Sequence, residues 1–154
     1  MTIEWPDGPE SSDMTVTVPD NWPTPPAGPA NILVASVPTN VHVEWTVPFP
    51  HNMTLGGSFQ VRAFVESIGP GQEMQLGTDV TVAAVGGLTS YTADIPVPGG
   101  TLLGEGELYP PLPAVGGVPV SGVYKIIAVL QHLNPGPTFV SGFAEETIKM
   151  FLSP

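Results

Sequence analysis

The side chains able to do acid–base or metal chemistry in this 154-residue chain are few: three histidines, 14 carboxylates and three bases, with no cysteine. His42 and Glu44 stand two residues apart in an alternating stretch, so they share one strand face, a spacing that metal ligands on a β-ribbon use. A metal there would need a further ligand, which the sequence does not name, and a solvent-facing His–Glu pair is the plainer reading. His51, in a turn after Pro50, and His132, near a strand end, read as ordinary surface positions. Glu105 and Glu107, in a glycine-rich stretch, could join Asp94 as oxygen ligands for calcium, but no EF-hand or aspartate-repeat spacing accompanies them. The adjacent acids Glu145 and Glu146 form the other carboxylate pair.

Nucleophilic catalysis needs a serine or cysteine held by a base. Here no serine occupies a Gly-x-Ser-x-Gly elbow, and nothing pairs a serine with a histidine. The Gly-Gly pairs at 86–87, 99–100 and 116–117 read as turn devices, because a phosphate cradle would add a lysine and a following helix. The expectation is a non-enzymatic chain with no catalytic residues, no metal site and no cofactor. Asn52-Met53-Thr54 fits a glycosylation sequon, a triplet common by chance.

The elements that would position these residues are strands. Val41, Val43, Trp45 and Val47 alternate with His42, Glu44 and Thr46, the period of a half-buried strand. Similar stretches cover 31–37, 57–67, 74–77 with 80–85 (one bent strand or two), 89–97, 121–133 and 138–152, separated by proline and glycine turns. Asn134-Pro135-Gly136 makes the last two a hairpin. Pro98 to Pro119 is a long proline- and glycine-rich connection. Residues 1–30 form a separate segment, an acidic, proline-rich extended arm with one strand-like stretch at 14–18, Trp22 as an anchor and a stiff polyproline-like connector at 23–29. The arm is open to three readings: a loose tail, an added strand on its own sheet, or one on a neighbour's. The remainder, 31–154, is one domain.

Composition narrows the partners. A net charge of −11 with only Arg62, Lys125 and Lys149 as bases leaves too few phosphate-neutralising groups for nucleic acid and disfavours an anionic membrane surface. The longest wholly apolar run, 126–130, is far short of a bilayer span, so no membrane insertion is expected. No basic n-region or apolar h-region opens the chain, so no secretion signal is visible, and without cysteine the redox compartment is unreadable.

The stretch Val41-His-Val-Glu-Trp-Thr-Val-Pro48 resembles the second strand of fibronectin type III domains, in which a core tryptophan shortly precedes a proline. Ser121-Gly-Val-Tyr-Lys-Ile-Ile-Ala-Val129 is similar to their sixth strand, with its tyrosine corner, a feature shared with immunoglobulin-like domains. The resemblance spans roughly residues 31–152. It implies an all-β fold, an antiparallel two-sheet sandwich of about 7–8 strands in an immunoglobulin/fibronectin-III-like Greek key. It also implies a spacer or binding module. The 98–119 connection is longer than the family's, and the antibody disulfide is excluded.

Placed on that frame, Tyr124, Ile126, Ala128 and Leu130 face the core, and Val123, Lys125, Ile127, Val129 and Gln131 face out. On the last strand Val140, Gly142, Ala144, Ile148, Met150 and Leu152 are taken as inward, with Phe139, Ser141, Phe143, Glu145, Thr147, Lys149 and Phe151 on the reverse. The third strand turns Gln60, Arg62, Phe64 and Glu66 outward. Phe64, Ile127, Val129, Phe139 and Phe143 would then gather outside the core, with Arg62, Lys125 and Lys149 on the same face. Such a patch marks a binding surface unless the arm or the long connection covers it, or a β-bulge flips the last strand. The functional expectation is a structural or protein-interaction module, a self-assembling subunit or accessory component whose partner is another protein or further copies of itself. Its bases would dock on acidic surface, in a heterologous contact. The alternative is a ligand-binding module for a carbohydrate or an apolar small molecule.

Overall fold

A computed structural model describes residues 2–4, 11–22, 31–109 and 116–153. The fold is all-β. In chain order the elements are β1 (Thr2–Glu4), β2 (Ser11–Thr17), β3 (Ile32–Val34), β4 (Thr39–Thr46), α1 (His51–Thr54), β5 (Ser58–Ser67), β6 (Met74–Ala83), β7 (Ser90–Val97), β8 (Leu108–Tyr109), β9 (Val118–Pro119), β10 (Val123–Leu133), β11 (Pro137–Glu145) and β12 (Lys149–Leu152). The β6 region is one continuous strand, in which residues 77–79 bulge against the single residue Arg62 of β5, whose own pairing with β10 is uninterrupted.

Two ladders carry the core. In one, β10 lies between β5 and the pair β11 and β12, with β6 beyond β5 and β3 parallel to β12. In the other, β4 lies between β2 and β7. Period-two alternation places Val41, Val43 and Trp45 of β4 against Phe59, Val61 and Ala63 of β5, all buried. The Trp45 ring meets Phe59 edge-on at 5.4 Å and stacks on Tyr91 at 5.6 Å, so an aromatic cluster ties the ladders together. Each such side chain gains about 1.5–3 kcal/mol from burial.

The described residues among the first thirty share this core. Ile3, Met14, Val16 and Val18 are buried in the same cluster as Trp45. β2 pairs with β1 through Ser11, Ser12 and Asp13, and with β4 through Met14 to Thr17, so one strand links both ladders. Asn21 then clasps the backbone of Val34 and Val37, and Trp22 donates from Nε1 to Ile32 O at 2.8 Å. Of the three readings of the arm, its described part takes the second. The expected polyproline connector at 23–29 lies outside the described residues.

The carboxyl end departs from expectation. The strand foreseen over 138–152 breaks after Glu145. β12 resumes along Val123 and Tyr124 of β10 and, on its other side, along β3. The three intervening residues invert the alternation. Lys149 and Phe151 therefore point inward and are buried, while Ile148 is exposed and Met150 and Leu152 are only half-buried. The Phe151 ring meets Tyr124 edge-on at 5.7 Å, and that packing fixes the inverted parity. The approach is close enough that a Cβ on Gly122 (φ 69°) would stand 2.7 Å from Phe151 O and 2.5 Å from Glu105 N.

Candidate functional site

The outward side of β6, β5, β10 and β11 is built row by row from register. Ile127 lies opposite Phe64 on one side and Glu145 on the other, and Val129 lies between Arg62 and Phe143. Directly opposed residues point the same way. The β11 register thus puts Phe143 beside Val129, with Ile127 and Phe64 one row on. Phe64, Ile127 and Val129 are half-buried among their neighbours. Phe143 is 53% exposed. Phe139 belongs to the same strand, but its side chain lies outside the described residues.

The rim is charged but neutralised. Lys125 Nζ sits 2.6 Å from Glu145 Oε1. Arg62 Nε sits 3.3 Å from Asp79 Oδ2 and its guanidinium also donates to Gln60. Gln60 and Gln75 donate to the two oxygens of the same Asp79 at 2.9 and 2.6 Å. Asp79 was missed in the sequence because it lies in the bulge of β6 opposite Arg62, where strand alternation no longer tells which face it joins. Lys149 does not belong to this face. It points to the core side, where its Nζ donates to Asn31 Oδ1 at 3.0 Å and lies 3.9 Å from Glu146 Oε2. The expected trio of free bases is therefore two paired cations and one buried lysine.

Among the described residues, neither the arm nor the long connection is bonded to this face. β1 extends the sheet sideways from Ser141 and Gly142. The 98–109 segment packs at the pole near Tyr124: Gln72 brackets it through Thr101 and Leu103, the Tyr124 hydroxyl donates to Leu103 O at 3.0 Å, and Glu105 N donates to Phe151 O. Burial, then the nearby Glu107 charge, pushes the Tyr124 hydroxyl pKa up.

The opposite surface, on β2, β4 and β7, is polar. His42 is held by Asp94 through Nδ1 at 2.8 Å and by Glu44 through Nε2 at 3.3 Å. The hydrogen bond to Asp94, and after it that to Glu44, raises the imidazole pKa above its ordinary value. Both ring nitrogens are engaged, and among the described residues no group of three or more histidines and carboxylates is placed to hold a metal. Asp94 is thus not assembled with Glu105 and Glu107, and Glu107 instead accepts from Gly104 N. A groove of about 290 Å³ beside Glu44 is lined by Asp13, Thr15, Thr46, Ser90 and Thr92.

One surface expectation is corrected. His132 is buried, its Nε2 bonded to Gly56 O at 2.7 Å and its ring against Phe59 at 5.2 Å. It continues the inward parity of Ala128 and Leu130, which was the available signal. Asn52 of the glycosylation triplet is also buried, its amide turned to Gly87 O. No protein-family model, no curated protein and no solved structure matches this chain.

Proposed function

We propose that this chain is a non-enzymatic interaction module that docks through the outward face of β6, β5, β10 and β11 as a self-assembling subunit or accessory component of a larger complex. The observation that carries this reading is Phe143, more than half exposed at 53% in mid-strand and in register with Val129. An aromatic ring left wet forgoes much of the roughly 1.5–3 kcal/mol that burial offers, and its apolar neighbours extend the loss over a contiguous patch.

The scaffold reading is an immunoglobulin/fibronectin-III-like two-sheet Greek key. It is supported by the β2–β4–β7 and β6–β5–β10–β11 pairings, by Trp45 in the core, and by the Tyr124 hydroxyl bonded into the preceding connection. For a carbohydrate the groove beside Glu44 is poorly suited. Its aromatic neighbours Trp45 and Tyr91 are buried, so it offers no stacking platform.

Phe143→Asp tests the docking face. In sedimentation velocity the unaltered chain should associate as concentration rises, and the variant should remain monomeric with its melting temperature little changed. An unaltered chain that stays monomeric, or a variant that associates equally well, would overturn the reading.

A further inference from the structure

The pole where β4, β6 and β10 end has a composition unlike the rest of the molecule. Three loops there, 47–57, 84–89 and 134–136, contain no aspartate, glutamate, lysine or arginine, in a chain with a net charge of −11, and the exposed Asp13 of β2 stands at their edge, its N bonded to Thr46 Oγ1 at 3.2 Å. They expose Phe49 (74%), Met53 (60%), Val85 (52%) and Leu88 (44%). The loops at the opposite pole carry Glu73, Glu105 and Glu107.

This apolar tip is tied down from several directions. Gly87 N donates to Asn52 O at 2.7 Å, Leu88 N to Val85 O at 3.1 Å and Ala84 N to Gly57 O at 3.0 Å. The Tyr91 hydroxyl bonds both N and O of Val85 at 3.1 Å, and His132 holds Gly56. Apolar side chains carried on a pinned backbone cost less ordering entropy on docking than those on a loose loop.

The outward sheet face calls for an occupant of this kind. Arg62 and Lys125 are already matched by Asp79 and Glu145, and Glu66 lies in the same rim. A carboxylate in the occupant would meet these acids without a free cation to pair with, so the occupant must be apolar and uncharged. We propose that the occupant is a second copy of this chain, whose Phe49–Met53–Val85–Leu88 tip seats on the Phe64–Ile127–Val129–Phe143 face. The contact rests on the docking-face reading above and specifies its partner. It is heterologous, so copies join head to face and leave a free tip and a free face at each end. It also brings two strongly acidic bodies together, so salt should strengthen it by screening their repulsion.

The test uses the full chain in two variants, Met53→Asp/Leu88→Asp at the tip and Phe143→Asp on the face, each checked for unaltered circular dichroism and melting. Each variant alone should self-associate roughly tenfold or more weakly than the unaltered chain. Mixed at equal concentration they should form a 1:1 heterodimer, the intact tip of one on the intact face of the other. Adding sodium chloride should tighten that heterodimer. If the tip variant assembles like the unaltered chain while Phe143→Asp does not, the tip assignment fails and the docking face stands. If both variants fail to assemble and their mixture stays monomeric, the tip-to-face pairing is overturned. If the unaltered chain itself is monomeric, both readings fall. Weakening by salt would show that ion pairs carry the contact and would overturn the apolar assignment.

Discussion

Trp45, Tyr124 and Phe143 sit on alternating strands, and the parity of each follows from its neighbours. The inward set Val41, Val43, Trp45 was legible because every second residue is apolar, and the same count places Phe143 outward between Gly142 and Ala144. What alternation did not reveal is pairing. Asp94 comes to His42 only through the β4–β7 register, and Asp79 reaches Arg62 only through the bulge in β6. His42 gives a pH signature. Folding raises its pKa, so its contribution is full below about pH 6.5 and disappears as pH climbs through the higher folded value. Urea unfolding at several pH values should show the unaltered chain losing stability relative to His42→Gln as pH rises above about 6.5. Equal slopes for the two would contradict the pairing with Asp94 and Glu44. Tyr124→Phe should cost about 1–2 kcal/mol in the same assay, because it leaves Leu103 O without its donor.

The arm and the last strand show why element order was less readable than element type. Strand stretches at 41–47, 57–67, 89–97 and 121–133 announce themselves by period two, but an extended segment does not encode its partner. The sequence therefore left the arm among three placements, which Ile3, Met14 and Val16 settle by burying in the common core. The break at 146–148 was hidden because Ile148, Met150 and Leu152 continue the apolar alternation on paper, whereas Phe151 gains more by packing on Tyr124. Two substitutions probe these placements. A Cβ at Gly142 would stand 2.8 Å from Ile3 Cγ1 and 3.2 Å from Ile3 Cα. Gly142→Leu should therefore expel β1, seen as faster hydrogen exchange in Thr2–Glu4 with β4 and β5 still protected. Glu146 accepts from Val18 N at 2.7 Å and faces the buried Lys149. Glu146→Ala should cost about 2–3 kcal/mol in chemical denaturation, with the junction between β2 and β12 loosened first. A change near zero would remove that clasp from the fold's stabilising contacts.

At the scale of the whole molecule, charge and apolar surface are segregated. Fourteen carboxylates face three bases. The two bases on the docking face are both paired there, and the tip carries no formal charge from acids or bases. The apolar side of the outward face was visible in the sequence through Phe64, Ile127, Val129 and Phe143. The pairing of its bases was not, because it depends on which carboxylates the folded strands bring near. A free positive patch would make assembly salt-sensitive in one direction, and an apolar one whose bases are already paired reverses it. The claim that most depends on this arrangement is that Phe143 and its neighbours are the surface other molecules cover. Hydroxyl-radical footprinting reads this at the side chain. Phe143 should be readily oxidised in dilute protein and protected as concentration and assembly rise. A Phe143 equally reactive in monomer and assembly would contradict the docking face.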